Sequence, residues 1–299
     1  MATTSAPKTP AAETPAADSS PSFLIRHQFI IYRLFSLAGL IPIGAYVCVH
    51  LLTNASIVNG VSTFQDQVNR IHSLGVVLPL VEWTFIFIPI LFHAAVGWLI
   101  ISGALPNTGA YPYASNIRYT MQRATGIIAF VFILFHVVQM HHWFGGPLKE
   151  IGGAQFDPEH AASSVAAAIR PFWITVVYTV GMLAAVYHFA NGLWSQGITW
   201  GLWTSPAAQQ RASWISGIVG VGLAVIGMSA IIGMHRVDIE QATEVENVML
   251  EQKAAVESLE APAAAETVDQ PENAEQNAEQ PADQPQQEAP PDVPKSPPE

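Results

Sequence analysis

The chain has 299 residues, half of them hydrophobic and 12% charged, with a formal net charge of −11. The charge is local, because residues 237–299 hold 16 of the 23 acidic residues against two lysines, leaving 10 basic and 7 acidic residues elsewhere. The acidity therefore describes a tail and points to no nucleic-acid partner, while a single cysteine, Cys48, excludes an internal disulfide and any cysteine-held zinc or iron–sulfur centre.

Residues 1–22 are rich in Ala, Thr, Pro and Ser and predict a disordered extension, with no apolar run behind a charged start to suggest a cleaved signal peptide. Five apolar stretches then meet the length of about 20 residues that a bilayer-spanning helix needs. They lie near 33–56, 77–102, 123–144, 171–195 and 213–235, separated by segments with the Gly, Pro, Asn and charge signals of loops. Trp83, Trp98, Trp143, Trp173, Trp194 and Trp214 fall near their ends, as an interfacial belt does. Residues 237–299, alternating Ala, Pro, Glu and Gln, predict a disordered acidic tail. The expected fold is an all-α integral membrane protein, a five-transmembrane-helix bundle over residues 23–236 in contact with lipid.

Arg26, Arg33, Arg118, Arg123 and Arg211 flank one side of the bundle, and Arg70, Lys149, Arg170 and Arg236 the other. This small bias predicts a cytoplasmic N-terminus, and five spans then place the tail on the outer side.

Four of the spans each contain a histidine: His50, His93, His136 and His188. An ionisable side chain in hydrocarbon is costly and marks function by default. Helix direction alternates, so at about 1.5 Å per residue His50 and His136 fall towards the outer face and His93 and His188 towards the inner one. The two layers are separated by about 8–15 Å. Paired neutral imidazoles between facing helices suit two stacked b-type haems. Gly97 and Gly192, four residues after His93 and His188, would let a flat ring approach the backbone. For any one of these histidines alone, a hydrogen bond to a neighbouring helix explains the residue equally well. His27, His72, His160 and His235 read as solvated positions at span ends or in loops, and the His141–His142 pair is the least easily explained that way.

Four blocks carry a family likeness. Arg33-x-x-Ser36-x-x-Gly39-x-Ile41-Pro42-x-Gly44 leads to His50-Leu51-x-x-Asn54; Leu80-x-Glu82 precedes Pro89-x-x-x-His93-Ala94-x-x-Gly97. Gln122-Arg123-x-Thr125-Gly126-Ile127 leads to His136-Val137, and His188-Phe189-x-Asn191-Gly192-Leu193-Trp194-Ser195 precedes Thr199-Trp200-Gly201 and Arg211. In this order the chain resembles the five-helix dihaem cytochrome b anchor of succinate:quinone oxidoreductases, the Bacillus-like type of complex II.

The resemblance implies two b haems ligated by His50 with His136 and by His93 with His188. It also implies a flavoprotein and an iron–sulfur subunit on the cytoplasmic face of a bacterial inner membrane. Electrons from succinate would pass through the inner and then the outer haem to quinone, menaquinone in the dihaem type. Arg33, Ser36 and Arg123 become candidate partners of haem propionates, with interfacial anchoring as the simpler reading of the arginines. Glu82, the acidic residue within a span, is a candidate for quinone protonation near the outer end, and Asp66 a weaker one. Phe35 stands where Bacillus-like members can carry a histidine, and Val186 where some fumarate reductases carry a glutamate, so neither role is expected here. Other respiratory cytochromes b, of hydrogenases, formate dehydrogenases or nitrate reductases, share histidine-bound haems but not the Asn191–Ser195 block. A transporter would need the broken helices and paired charges of a substrate pathway.

Overall fold

A computed structural model describes residues 23–103, 108–110 and 113–268. Five helical spans are long and apolar enough to cross a membrane: Arg26–Asn59, Gly75–Ser102, Ala114–Met140, Phe172–Thr199 and Pro206–Arg236, here spans I to V. Their apolar side chains mostly face outward, for example Phe29, Leu52, Leu91, Val131, Ile218 and Val225. Such a surface has no counterpart in a water-soluble monomer and fits lipid. Span IV is the most enclosed, with 33% of its apolar window buried against 6% in span II. It packs against both span III and span V, which makes it the centre of the bundle.

Two spans are irregular for local reasons. In span I, α1 (Phe23–Leu40) gives way to α2 (Pro42–Ala55) at Ile41. Pro42 has no N–H to donate and takes the first helical position, where none is needed. In span II a 3₁₀ turn, Gly75–Val77, leads through a five-residue helix, Leu78–Glu82, into a π-helical stretch, Trp83–Phe87. A longer helix, Ile88–Ser102, completes the span, with Pro89 in its first turn. Widened turns of this kind recur at functional sites.

Spans III and V start earlier than their apolar runs. Polar Asn116, Arg118 and Gln122 lie inside span III, which begins at Ala114 rather than near 123. Span V starts at Pro206, where the Ser205 hydroxyl accepts from the Ala208 N–H at 3.2 Å. That is an N-cap followed by proline, a start signal independent of hydrophobicity.

The end of the bundle nearest His50 carries a cap of shorter helices. Helix Val61–His72 buries Phe64, Gln65 and Val68, and helix Ala161–Ile169 buries Ala161, Ala162, Ser163, Ala166 and Ile169. Residues 145–170, read as a loop, therefore include ordered helix. The Gln65 amide donates to the Pro158 carbonyl at 2.7 Å and its oxygen accepts from the Ala161 N–H at 2.9 Å, tying the two helices together.

The tail differs from expectation. Residues 237–299 read as disordered, yet Ile239–Val268 is helical. Asp238 caps it by accepting from the Glu240 and Gln241 N–H groups at 3.1 and 3.2 Å. No proline or glycine interrupts residues 239–261, and Ala, Glu and Gln favour helix. The first turns add an anchor: Glu246 is fully buried and accepts from the Ala162 and Ser163 N–H groups at 2.6 and 3.2 Å and from the Ser163 hydroxyl at 2.5 Å. A carboxylate there satisfies donors that the first turn of helix Ala161–Ile169 leaves unpaired and complements its dipole. The expected disorder of residues 1–22 and 269–299 concerns segments outside the described residues.

Candidate functional site

Span geometry brings the four membrane histidines together in two pairs. The His50 and His136 rings have centroids 5.7 Å apart at an interplanar angle of 75°, and those of His93 and His188 are 6.1 Å apart at 88°. Gly126 adjoins His188, and His136 lies ten residues further along the same helix. That spacing separates the two pairs by about 15 Å of helical rise.

Three of the four rings have a partner that fixes their orientation. His93 Nδ1 lies 3.0 Å from the Phe35 carbonyl and His188 Nδ1 3.0 Å from the Gln122 carbonyl. A carbonyl only accepts, so each Nδ1 carries the proton and each Nε2 is left with a lone pair. His136 Nδ1 lies 3.1 Å from the Tyr178 hydroxyl, which itself donates to Gln139 Oε1 at 2.9 Å. With its proton committed to Gln139, Tyr178 accepts from His136, and again Nε2 is free to bind a metal. Metal-ligating histidines are held in this way, by donating the second ring N–H to a carbonyl or similar acceptor. His50 is held more loosely, with Tyr46 Oη 3.5 Å from Nδ1 and Asn54 Nδ2 3.4 Å from Nε2.

Among the described residues no group of three or more His, Cys, Asp or Glu could hold a metal ion. Two neighbouring imidazoles are incomplete as an ordinary metal site, but His50 with His136 and His93 with His188 would each hold a metal whose other donors come from a tetrapyrrole. With metal–nitrogen bonds of about 2 Å on each side, ring centroids fall roughly 6 Å apart, as both pairs do. The donor set thus fits haem.

The glycines that meet the imidazole rings come from neighbouring spans. A Cβ on Gly39 would lie 2.6 Å from His93 Cε1, and one on Gly126 would lie 2.8 Å from His188 Cε1. Gly97 and Gly192 instead face Phe35 and Gln122 at ordinary contact distances of 3.5 and 3.7 Å. Depth along one helix does not reveal which neighbouring helix touches a ring. Phe35, of which no ligand role is expected, stacks on His93 at 4.2 Å and 13°.

The candidate propionate residues lie at the His93 end. Arg33 sits over the Trp200 ring at 4.8 Å, and the Ser36 hydroxyl accepts from Trp200 Nε1 at 3.1 Å. Gln196 donates to the Ser36 carbonyl. Arg123 reaches the Ile100 carbonyl at 3.3 Å and lies over Tyr119 at 4.2 Å. Arg118, read from sequence only as a flanking charge, lies inside the bundle and bonds Asn191 and Ser213.

At the other end, Glu82 Oε2 is 3.7 Å from His141 Nε2. Trp83 stacks on Trp143 at 5.4 Å, and His141 lies against His142 at 4.4 Å and Trp143 at 4.1 Å. Burial, reinforced by the neighbouring His142 charge, pushes the His141 imidazole down to about 4. His141 is therefore neutral near pH 7. Asp66 is exposed on helix Val61–His72.

No family model matches the chain. The succinate dehydrogenase cytochrome b558 subunit of Bacillus subtilis (strain 168) is 32% identical to it over 204 residues, covering 68% of this chain and 96% of that protein. Five spans, paired histidines and a likeness running nearly the full length of that relative lead to one assignment: the chain belongs to the cytochrome b membrane-anchor subunits of succinate dehydrogenase.

Proposed function

We propose that this chain holds two b haems, through His50 with His136 and His93 with His188, and links an iron–sulfur subunit to quinone. The observation that carries the reading is the pair of opposed imidazoles, three of whose four rings have Nδ1 committed to a fixed polar partner. Haem at these positions would supply single-electron carriage across the bilayer. The residues' part is to bind and orient: Phe35, Gln122 and Tyr178 set the tautomers that leave Nε2 available.

The two ends of the bundle have different tasks. The short helices and the start of the tail helix cover the His50 end, whereas the His93 end has no comparable cap among the described residues. This supports docking of the iron–sulfur and flavoprotein subunits at the His93 end, on the cytoplasmic face of a bacterial inner membrane. The N-terminus would share that face and the tail the outer one. Quinone, menaquinone in this type of anchor, is then reduced near Glu82 and takes up two protons with its two electrons. Glu82 passes a proton to the quinone at the edge of the apolar span, and His141, 3.7 Å away, relays its replacement from the outer face.

A haem assay on the purified protein tests the core of this reading: two b haems per chain are expected, and none would sink it. Glu82→Gln in the whole complex tests the proton step. Succinate should still reduce the haems while quinone reduction falls by at least tenfold; unchanged quinone reduction removes Glu82 from the mechanism.

A further inference from the structure

We propose that Arg118 is a positioning residue for the haem between His93 and His188, fixing His188 through Asn191 and Gln122 and raising that haem's reduction potential. The inference rests on the haem reading above. Arg118 lies on span III, and its guanidinium joins three spans at once. Nε donates to Asn191 Oδ1 at 2.9 Å on span IV, and Nη1 donates to Ser213 Oγ at 2.8 Å on span V. Its Cζ sits 4.0 Å over the Trp194 ring.

The order of donors makes this more than a helix tie. An arginine can only donate, so Asn191 must turn its oxygen towards it. The Asn191 amide nitrogen then donates to Gln122 Oε1 at 2.7 Å. Gln122 in turn must point its own nitrogen at His188, where it donates to the backbone carbonyl at 3.1 Å and lies 3.4 Å from Nε2. The backbone carbonyl of Gln122 meanwhile accepts from His188 Nδ1 at 3.0 Å. Each amide dipole in the chain is set by the one before it, and the first is set by a group that cannot reverse. Asn191 is 5% exposed, so water does not offer it an alternative partner.

The charge is also uncompensated. Among the described residues no carboxylate forms a salt bridge with Arg118, and Glu82, the acidic residue within the spans, lies beside His141 at the opposite end. A nearby positive charge favours the reduced haem, which carries one positive charge less on its iron. Arg118 therefore raises the potential of the haem that first meets electrons from the partner subunit.

The test uses the complete membrane-bound complex, with potentiometric titration of both haems and the low-spin EPR signals. Arg118→Gln should lower the reduction equilibrium of the His93–His188 haem about tenfold, which is about 59 mV for one electron. The other haem should not move. Arg118→Lys, which keeps the charge but not the fork, should hold the potential yet shift the EPR signal as His188 loosens. Unchanged potentials in Arg118→Gln, or equal shifts of both haems, would show a tie between helices and nothing more. If Arg118→Gln does not assemble, Asn191→Leu cuts the relay while keeping the charge, and an unmoved EPR signal there overturns the proposal. A wild-type complex without two b haems counts instead against the haem reading itself.

Discussion

Glu246 offers a sharp test of how the tail is attached. Glu246→Ala removes a fully buried carboxylate that accepts from two backbone N–H groups and one hydroxyl at the start of helix Ala161–Ile169. Each buried group left unsatisfied costs about 1–3 kcal/mol, and the low end summed over the three gives about 3 kcal/mol. A change of that size raises local opening roughly 10²-fold. Hydrogen exchange followed by mass spectrometry should show it in residues 161–169 and 239–250, with the amides of span IV unaffected. Glu246→Gln can accept the same N–H groups and donate to Ser163, losing only the charge assistance. It should cost about 1 kcal/mol, and roughly fivefold in exchange. Equal protection in wild type and Glu246→Ala would mean that the contact does not hold the tail helix, and the argument from helix-end satisfaction would fail.

Ligand replacements separate the two layers: His93→Ala or His188→Ala should remove one haem, and His50→Ala or His136→Ala the other, read as paired losses in the reduced-minus-oxidised spectrum. A mixed pattern, with His50 grouped with His93, contradicts the pairing. Gly39→Ala and Gly126→Ala place a Cβ 2.6 and 2.8 Å from the ligand rings and should lower haem occupancy, whereas Gly97→Ala, whose Cβ would meet Phe35 at an ordinary contact distance of 3.5 Å, should not. Equal effects at Gly97 and Gly126 would refute the assignment of the ring-facing glycines. His141 has its folded-state pKa pushed down to about 4 from 6.5, so the unfolded chain binds more protons between those values. Its contribution to stability is full above about pH 6.5 and is lost as pH falls towards 4. Melting temperature should therefore drop less on acidification in His141→Gln than in wild type; parallel curves would remove His141 as the cause. His160 has the opposite sign, because its bond to Asn247 leads the effects that push it up. Docking of the tail helix should weaken as pH rises above the ordinary histidine value, visible as faster exchange at residues 239–250 and absent in His160→Gln.

The spans and the histidine pairs were legible because both depend on position along the chain. Apolar length sets a span, and alternating direction turns the numbers of His50, His93, His136 and His188 into two depths. What lay beyond reach depends on rotation about each helix axis. Arg118 and Arg123 are five residues apart on one helix, which turns them about 140° from each other. One meets Asn191 and Ser213, the other the Ile100 carbonyl on span II. By sequence both are basic residues near a span end. The same limit applies to the glycines, since Gly97 shares a helix with His93 while Gly39 meets it from span I.

The tail shows a different limit. Its composition describes a segment unable to bury enough apolar area to fold by itself, and for an isolated peptide that reasoning stands. Glu246 escapes it because its partners are the unpaired N–H groups of helix Ala161–Ile169, which lies in the segment read as a loop. Each segment leaves a polar group unmet by itself: one supplies N–H donors with no acceptor, the other a carboxylate with no cation. Each is the other's solution, and a reading that scores segments one at a time has no means of seeing it. The Ser205–Pro206 start of span V carried a local signal that could have been used, since a capping serine followed by proline needs no partner elsewhere in the chain. Glu246 carried none.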